Sequence, residues 1–159
     1  MPEREREITL RFLAEPTDVN FGGKVHGGAV MKWIDQAGYA CAAGWSGSYC
    51  VTAYVGGIQF MRPIQVGELV EVRAQVAHTG RTSVHVAIDV HAGDPREADR
   101  LMRATICVIV FVALGADGNP HPVPHWVPRT EHERLLEDYA IKMMEFRKAL
   151  ENEVKGRNL

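Results

Sequence analysis

The stretch Gly27-Gly28-Ala29-Val30-Met31-Lys32-Trp33-Ile34-Asp35 decides the fold, because it opens a helix that is apolar on nearly every side. The spacing of the apolar residues predicts that this helix runs from Gly28 to about Gly44. Only two charged residues, Lys32 and Asp35, lie within it. A helix that is apolar nearly all round is usually buried. We therefore expect a sheet to wrap around this helix.

Five segments have the alternation and the β-branched residues that are typical of strands. One precedes the helix and four follow it, and the segments run over Ile8 to Leu13, Cys50 to Phe60, Leu69 to Ala77, Ser83 to His91 and Leu101 to Leu114. Short runs rich in turn-forming residues separate them. This order predicts an α+β fold, with an antiparallel sheet wrapped round a central buried helix.

The C-terminal part of the chain has a different composition. We expect one compact domain over residues 1–116, followed at 117–159 by a proline-rich extended segment and a helix. A capping-box pattern, Thr130-Glu131-His132-Glu133, predicts the start of the helix, and Leu135, Tyr139, Met143, Phe146 and Leu150 mark one apolar face as far as about Val154. A length of ~35 Å is large for this domain, so we expect part of the helix to pack on a partner or to project.

Composition excludes several classes of function. The net charge of −2 gives no reason to expect binding to nucleic acid, and no apolar run approaches the ~20 residues of a membrane span. The charged start, Met1 to Glu7, has no signal-peptide core. Three cysteines, Cys41, Cys50 and Cys107, show no metal-ligand spacing. We expect reduced, buried thiols, a cytoplasmic location and no metal or other cofactor.

Several further segments occur in a characteristic order between Ile8 and Leu114. They are Asp18-Val19-Asn20, Gly23-Lys24-Val25-His26-Gly27-Gly28, Met31-Lys32-Trp33-Ile34-Asp35, Phe60-Met61-Arg62-Pro63-Ile64, Val66-Gly67-Glu68 and Thr79-Gly80-Arg81-Thr82-Ser83. In order and spacing the sequence resembles the hotdog-fold acyl-CoA thioesterases, in particular the bacterial short-chain acyl-CoA hydrolases related to cytosolic acyl-CoA hydrolases. The resemblance implies an acyl-CoA substrate and a homodimer with a continuous sheet, often assembled as a trimer of dimers.

The residue types fit the hydrolysis of a thioester. Gly27 and Gly28 stand where the helix begins, and backbone N–H groups there are free to polarise a carbonyl oxygen. Asp35 is the only acid in the helix and can attack the carbonyl or activate water. Eight residues separate Gly27 from Asp35, a rise of ~12 Å. One helix cannot present both groups to one carbonyl, so this chemistry requires two antiparallel helices and therefore a dimer.

Other polar residues are weaker candidates. The resemblance supports a catalytic role for Asn20, whereas its residue type fits an ordinary turn equally well. Thr52 fits a hydroxyl donor in the site or a simple strand residue. The resemblance also favours the hairpin Gly80-Arg81-Thr82-Ser83 as the holder of a CoA phosphate, through the forked N–H groups of arginine. Arg62 is a second candidate for the phosphates.

Three other interpretations stay open from the sequence. A hotdog dehydratase would pair an acid with a catalytic histidine, for which His26 is the candidate. A non-catalytic acyl-CoA-binding protein would need no general base. An interaction protein would use the long C-terminal helix as its binding surface.

Overall fold

A computed structural model describes residues 3–159. The strands are β1 (Glu7–Leu13), β2 (Tyr49–Phe60), β3 (Leu69–Thr79), β4 (Ser83–Gly93) and β5 (Met102–Leu114), and the helices are α1 (Gly27–Ser46) and α2 (Glu131–Arg157). Every predicted element is present, and its bounds differ from the prediction by no more than three residues. Residues 1 and 2, which begin the predicted 1–116 domain, lie outside the described residues.

The five strands form one antiparallel sheet in the order β1-β3-β4-β5-β2. α1 packs across one face of this sheet and buries Val30, Trp33, Ile34, Ala37, Cys41, Ala42 and Trp45 in the core. The predicted hotdog architecture is thus confirmed. β2 forms one edge of the sheet, so its outer side presents backbone N–H and C=O groups that no described strand pairs with.

Two glycines fix the position and the end of α1. A Cβ at Gly38 would lie 2.9 Å from Cε2 of Phe111 and 3.0 Å from Cδ1 of Ile88, so the helix approaches the sheet closely at this point. The helix continues past Gly44, the predicted end, and stops where Gly47 adopts a left-handed conformation with φ of 70°. Glycine tolerates this conformation without steric cost, which makes it a common helix terminator.

The proline-rich segment packs on the same core as α1, whereas α2 packs on the opposite face of the sheet. Trp126 is fully buried, and its backbone N–H donates to Oγ1 of Thr79. α2 begins at the predicted N-cap Thr130 and rests on Ala77 and Ala87 through Ala140. Neither helix among residues 3–159 has the length and apolar character that a membrane crossing needs.

The predicted apolar face of α2 packs on the sheet only in part. A Cβ at Gly57 of β2 would lie 3.0 Å from Cε of Met143 and 3.1 Å from Oη of Tyr139. Leu135, Phe146 and Leu150 are more than half exposed. The sheet is also contacted through the neighbouring face, which carries the small residue Ala140 and the partly buried Leu136. The predicted apolar face is therefore partly packed on β2 and partly open on this protomer.

Candidate active site

Asp35 is held by a hydroxyl group from the edge strand. Oγ1 of Thr52, on β2, donates a hydrogen bond of 2.6 Å to Oδ1 of Asp35, on α1. Both residues are exposed on this protomer. The hydrogen bond occupies one carboxylate oxygen and leaves Oδ2 free to act on a substrate or on water.

An apolar cavity of about 170 Å³ lies directly beside Asp35. It is formed between α1 and the strands β2 and β5, and its lining residues are Met31, Ile34, Asp35, Val55, Ile58 and Ile109. Asp35 is the only charged group in this lining. The arrangement places a carboxylate at the mouth of a space that suits a short hydrocarbon chain.

The N-terminus of α1 is capped by a histidine. His26 is the N-cap residue, and its Nδ1 accepts a hydrogen bond of 3.2 Å from the N–H of Gly28. The ring therefore satisfies one of the N–H groups that we predicted for the oxyanion hole. Within residues 3–159 the N–H of Gly27 has no such acceptor, so Gly27 is the better placed donor of the two. Donation by Gly28 stays a prediction and would require the His26 ring to turn away.

A second cavity, of about 390 Å³, opens at this helix start. Its lining includes Asn20, Gly27, Phe60 and Arg62. The side chain of Asn20 has a structural role here, because its Oδ1 accepts from the N–H groups of Gly22 at 2.9 Å and Lys24 at 3.2 Å. Its amide Nδ2 has no partner among the described residues and is available to a ligand in the cavity.

The two candidate phosphate-binding arginines differ in their surroundings. Arg62 donates to the carbonyl oxygen of Ala92 at 2.9 Å and pairs with Glu68 at 3.3 Å. Arg81 lies exposed at the tip of the β3–β4 hairpin, where Gly80 donates to the carbonyl of Ser83. Its guanidinium makes no ion pair within the described part of the chain. Arg81 is therefore free to bind an anion, whereas Arg62 is already engaged.

The cysteines take no part in this chemistry. Cys41, Cys50 and Cys107 are free and buried, as predicted. Burial raises the pKa of Cys41 and of Cys107 to about 12, so both stay as neutral thiols. No group of His, Cys, Asp and Glu residues between positions 3 and 159 is arranged to hold a metal ion.

Each protomer thus carries two separate half-sites. Asn20 and Gly27 lie at the start of α1, while Asp35 lies about two turns further along the helix, where Thr52 of β2 donates to it. The eight residues between Gly27 and Asp35 correspond to ~12 Å of helix. Thr52 was only an open candidate from the sequence, because no local pattern shows that β2 passes this turn of α1.

The fold and these half-sites define a class, the hotdog-fold thioester hydrolases. The family model that matches residues 22–98 is the thioesterase superfamily. A curated relative, the acyl-CoA thioester hydrolase YciA of Salmonella typhimurium, is 34% identical over 122 residues, which are 74% of this chain and 90% of the relative. The chain belongs to the thioesterase superfamily, among its acyl-CoA thioester hydrolases.

Two solved structures are closely similar to this fold. The acyl-CoA hydrolase of Staphylococcus aureus, in complex with butyryl coenzyme A, coenzyme A and coenzyme A disulfide, is 28% identical and superposes with a TM-score of 0.87, covering 95% of this chain and 92% of that chain. An apo-hexameric acyl-CoA thioesterase is 32% identical with a TM-score of 0.84, and the match covers 90% of this chain and 91% of that one.

Proposed function

We propose that this acyl-CoA thioesterase builds each active site from two protomers, with the helix start of one facing Asp35 of the other. The overall reaction adds water to the thioester and releases a carboxylic acid and coenzyme A. The observation that carries the proposal is the Thr52–Asp35 hydrogen bond of 2.6 Å, which fixes a carboxylate ~12 Å along α1 from the free N–H of Gly27.

The thioester carbonyl oxygen accepts a hydrogen bond from the N–H of Gly27 at the positive end of α1. This donor is fixed before reaction and stabilises the negative charge that develops on the oxygen. Oδ2 of the opposing Asp35 then takes a proton from water, and the hydroxide adds to the carbonyl carbon. The tetrahedral intermediate collapses, the C–S bond breaks, and the CoA thiolate leaves and is protonated.

Asp35 can also act as a nucleophile. Its carboxylate would then add to the carbonyl carbon directly, expel the thiolate and leave a mixed anhydride that water hydrolyses. Both routes need the same placement of Asp35, Thr52 and Gly27. Trapping the anhydride in single-turnover experiments separates them.

The pattern of residues supports this assignment. Single alanine variants of the S. aureus hydrolase have been solved at an asparagine, an aspartate and a threonine. In that chain the asparagine precedes the aspartate by 15 residues, and the threonine follows it by 17. Asn20, Asp35 and Thr52 have the same spacings in this chain. We therefore assign Asn20, through its free amide, to the helix-start half of the site.

The acyl chain is expected to enter the cavity of about 170 Å³ beside Asp35, because its other lining residues are apolar. The CoA phosphates are expected at the hairpin Gly80-Arg81-Thr82-Ser83, where the Arg81 guanidinium makes no ion pair with any residue that the structure describes. Arg62 is the weaker phosphate ligand, because Glu68 already neutralises it at 3.3 Å.

The same proposal requires a homodimer, and the hexameric relative of known structure supports a trimer of dimers. No metal or organic cofactor takes part, so dialysis against a chelator should leave turnover unchanged. The buried thiols and the acyl-CoA substrate fit a cytoplasmic location.

A dehydratase mechanism is less well supported. It would use His26 as the base, and in this structure the Nδ1 of His26 accepts from the N–H of Gly28. A pure acyl-CoA-binding protein would not need a carboxylate beside the acyl cavity.

Thiol release from butyryl-CoA tests the assignment. The wild-type protein should release CoA, and a folded Asp35→Asn variant should lose about 10²–10⁴-fold in turnover. Near wild-type turnover by that variant would refute the catalytic role of Asp35. The wild-type protein should also be tested with acetyl-, hexanoyl-, palmitoyl- and aromatic CoA esters. If it releases no thiol from any of these or from butyryl-CoA, the proposed activity is refuted.

A further inference from the structure

The edge strand β2 departs from regular pairing at two points, and both lie beside the candidate active site. At the first point, Thr52 pairs with Phe111 of β5 and Tyr54 pairs with the next residue, Val110, so Ala53 is an extra residue in β2. An extra residue of this kind is a β-bulge. Bulges are frequent next to active sites, where they change the direction of a side chain.

The second bulge lies between Gly56 and Gln59. Gly56 pairs with Val108 and Gln59 pairs with Ile106, so three residue steps on β2 face two on β5. Inside this bulge, Gly57 has a left-handed conformation with φ of 64°. Side chains other than that of glycine rarely allow this conformation, so the bulge depends on the glycine.

The second bulge determines the face of the sheet on which Ile58 lies. Side chains alternate between the two faces of a regular strand, so Ile58 would share a face with Gly56 and lie opposite to Val55. Instead, Ile58 and Val55 both line the apolar cavity beside Asp35. One extra residue in β2 therefore turns Ile58 towards the space proposed for the acyl chain.

α2 packs against the other side of this bulge. A Cβ at Gly56 and a Cβ at Gly57 would each lie 3.0 Å from Cε of Met143, and the one at Gly57 would lie 3.1 Å from Oη of Tyr139. Met143 thus occupies the space that a side chain at either glycine would need. An unbranched thioether is well suited to fill such an irregular gap.

We propose that Met143 is a positioning residue for acyl-chain selectivity, because it holds the Gly56-Gly57 bulge in place and so keeps Ile58 inside the acyl cavity. The inference rests on the proposed function, since it assigns the cavity of about 170 Å³ beside Asp35 to the acyl chain. Met143 lies on the other face of the sheet and outside the lining of that cavity. Its influence on the substrate must therefore pass through the bulge.

Loss of the Met143 side chain is expected to deepen the cavity. Protein interiors are closely packed, so a bulge that has lost its support on one side can move in that direction. A shift of Gly57 towards α2 would withdraw Ile58 from the cavity. The site would then accept longer acyl chains without any change in the residues that line it.

The chain-length preference of Met143→Ala tests the proposal. The ratio of kcat/KM for decanoyl-CoA to kcat/KM for butyryl-CoA should rise about tenfold, the order of effect that one methylene has in an apolar pocket. Met143→Leu fills a similar volume and should keep the wild-type ratio. Met143→Val, a smaller truncation than alanine, should shift the ratio in the same direction, so the test remains available if the alanine variant does not fold.

Leu136→Ala is the matched control. It also removes an apolar side chain of α2 that is partly buried, but this side chain packs over Ala77 of β3 and Ala87 of β4 rather than over β2. Urea unfolding should show a loss of stability in this variant, because packing of α2 is weakened. The ratio of the two substrates should stay as in the wild type.

A double variant shows whether Met143 acts through Ile58. Ile58→Ala alone should raise the ratio, and Met143→Ala should add little in that background, because the side chain that Met143 positions is already absent. Four results would overturn the proposal: an unchanged ratio in Met143→Ala, an unchanged ratio in Ile58→Ala, full additivity of the two changes, or an equal rise in Leu136→Ala.

These results differ from a failure of the proposed function. A wild-type protein that releases no thiol from any acyl-CoA ester refutes the activity itself, and the positioning role with it. An active wild-type protein whose folded Met143→Ala variant keeps the wild-type ratio refutes the positioning role alone.

Discussion

The hydroxyl of Thr52 donates a hydrogen bond of 2.6 Å to Oδ1 of Asp35, which ties the edge strand to the one acid of the buried helix. A charge-assisted hydrogen bond of this kind contributes about 1.5–3 kcal/mol. Thr52→Val keeps the shape and removes the donor, so we expect turnover of butyryl-CoA to fall about 10–100-fold. Thr52→Ser retains the hydroxyl and should keep most of the activity. Wild-type turnover in the valine variant would show that the hydroxyl does not position the carboxylate.

The cavity beside Asp35 predicts a preference for short acyl chains. Its volume of about 170 Å³ is comparable to apolar cavities of about 150 Å³ that hold one benzene molecule. We expect kcat/KM to be highest for butyryl- or hexanoyl-CoA. Ile58→Ala enlarges the cavity and should move the optimum to longer chains.

Ile106→Ala is the matched control for that experiment. Ile106 lies on β5 within three residues of Ile109, but it is not among the residues that line the cavity. Its variant should keep the wild-type order of substrates. An unchanged order in both variants would place the acyl chain elsewhere.

Arg81 is predicted to bind a phosphate of coenzyme A. Arg81→Ala should raise KM for acyl-CoA and leave acyl-pantetheine, which lacks the nucleotide phosphates, nearly unaffected. Arg103→Ala, which removes another exposed arginine, serves as the control for a general loss of positive charge. Equal losses with both substrates would refute the phosphate role.

His85 predicts a pH dependence of stability. Burial is the main cause that lowers its pKa to about 4, and the nearby charges of His78 and Arg147 add to the effect. In the unfolded chain a histidine titrates near ~6.5, so the unfolded state binds more protons between these values. The resulting stability is complete above about pH 6.5 and is lost as the pH falls towards 4.

Urea unfolding at a series of pH values measures this dependence. His85→Gln keeps a polar partner for Oγ of Ser83, which lies 3.4 Å from Nε2 of His85. It should flatten the loss of stability between pH 6.5 and 4. His121→Gln, at an exposed position, should leave the slope as in the wild type. A wild-type slope in His85→Gln would assign the pH dependence to other groups.

Much of the fold could be predicted because the signals are local. The apolar periodicity of α1 and the alternation in Ser83 to His91 identify their elements without any knowledge of tertiary contacts. Gly27 and Asp35 were identifiable as a pair for a similar reason, since the rise of one helix fixes their separation. That geometry also indicated that one protomer cannot complete the site.

The remaining features depend on contacts between distant parts of the chain. The Thr52–Asp35 hydrogen bond depends on which turn of α1 lies beside Thr52 of β2. No spacing within either element determines that position. The His26 cap competes for the N–H of Gly28, a contact that the sequence did not show. The apolar face of α2 was recognised, but the exposure of Leu135, Phe146 and Leu150 could not be predicted, because it depends on Ala140, the small residue that lets the neighbouring face approach the sheet.

The central claim is that Gly27 and Asp35 of different protomers form one active site. Gly27→Pro removes the N–H without disturbing the helix start, because proline is favoured at the first helical position. The preceding residue, His26, already has the extended conformation that proline requires, with φ of −65° and ψ of 135°. Gly27→Ala keeps the N–H, and its Cβ would lie 3.8 Å from Cζ of Phe60, an ordinary contact.

The most direct measurement is the activity of purified mixed dimers. A dimer of one Gly27→Pro chain and one Asp35→Asn chain should recover about half of the wild-type turnover, although each homodimer is inactive, because one of its two sites keeps both groups. A dimer of one wild-type chain and one chain with both substitutions should be inactive, because each of its sites lacks one group. The opposite result, an inactive first dimer and a half-active second one, would place both groups of each site in the same protomer and contradict the account.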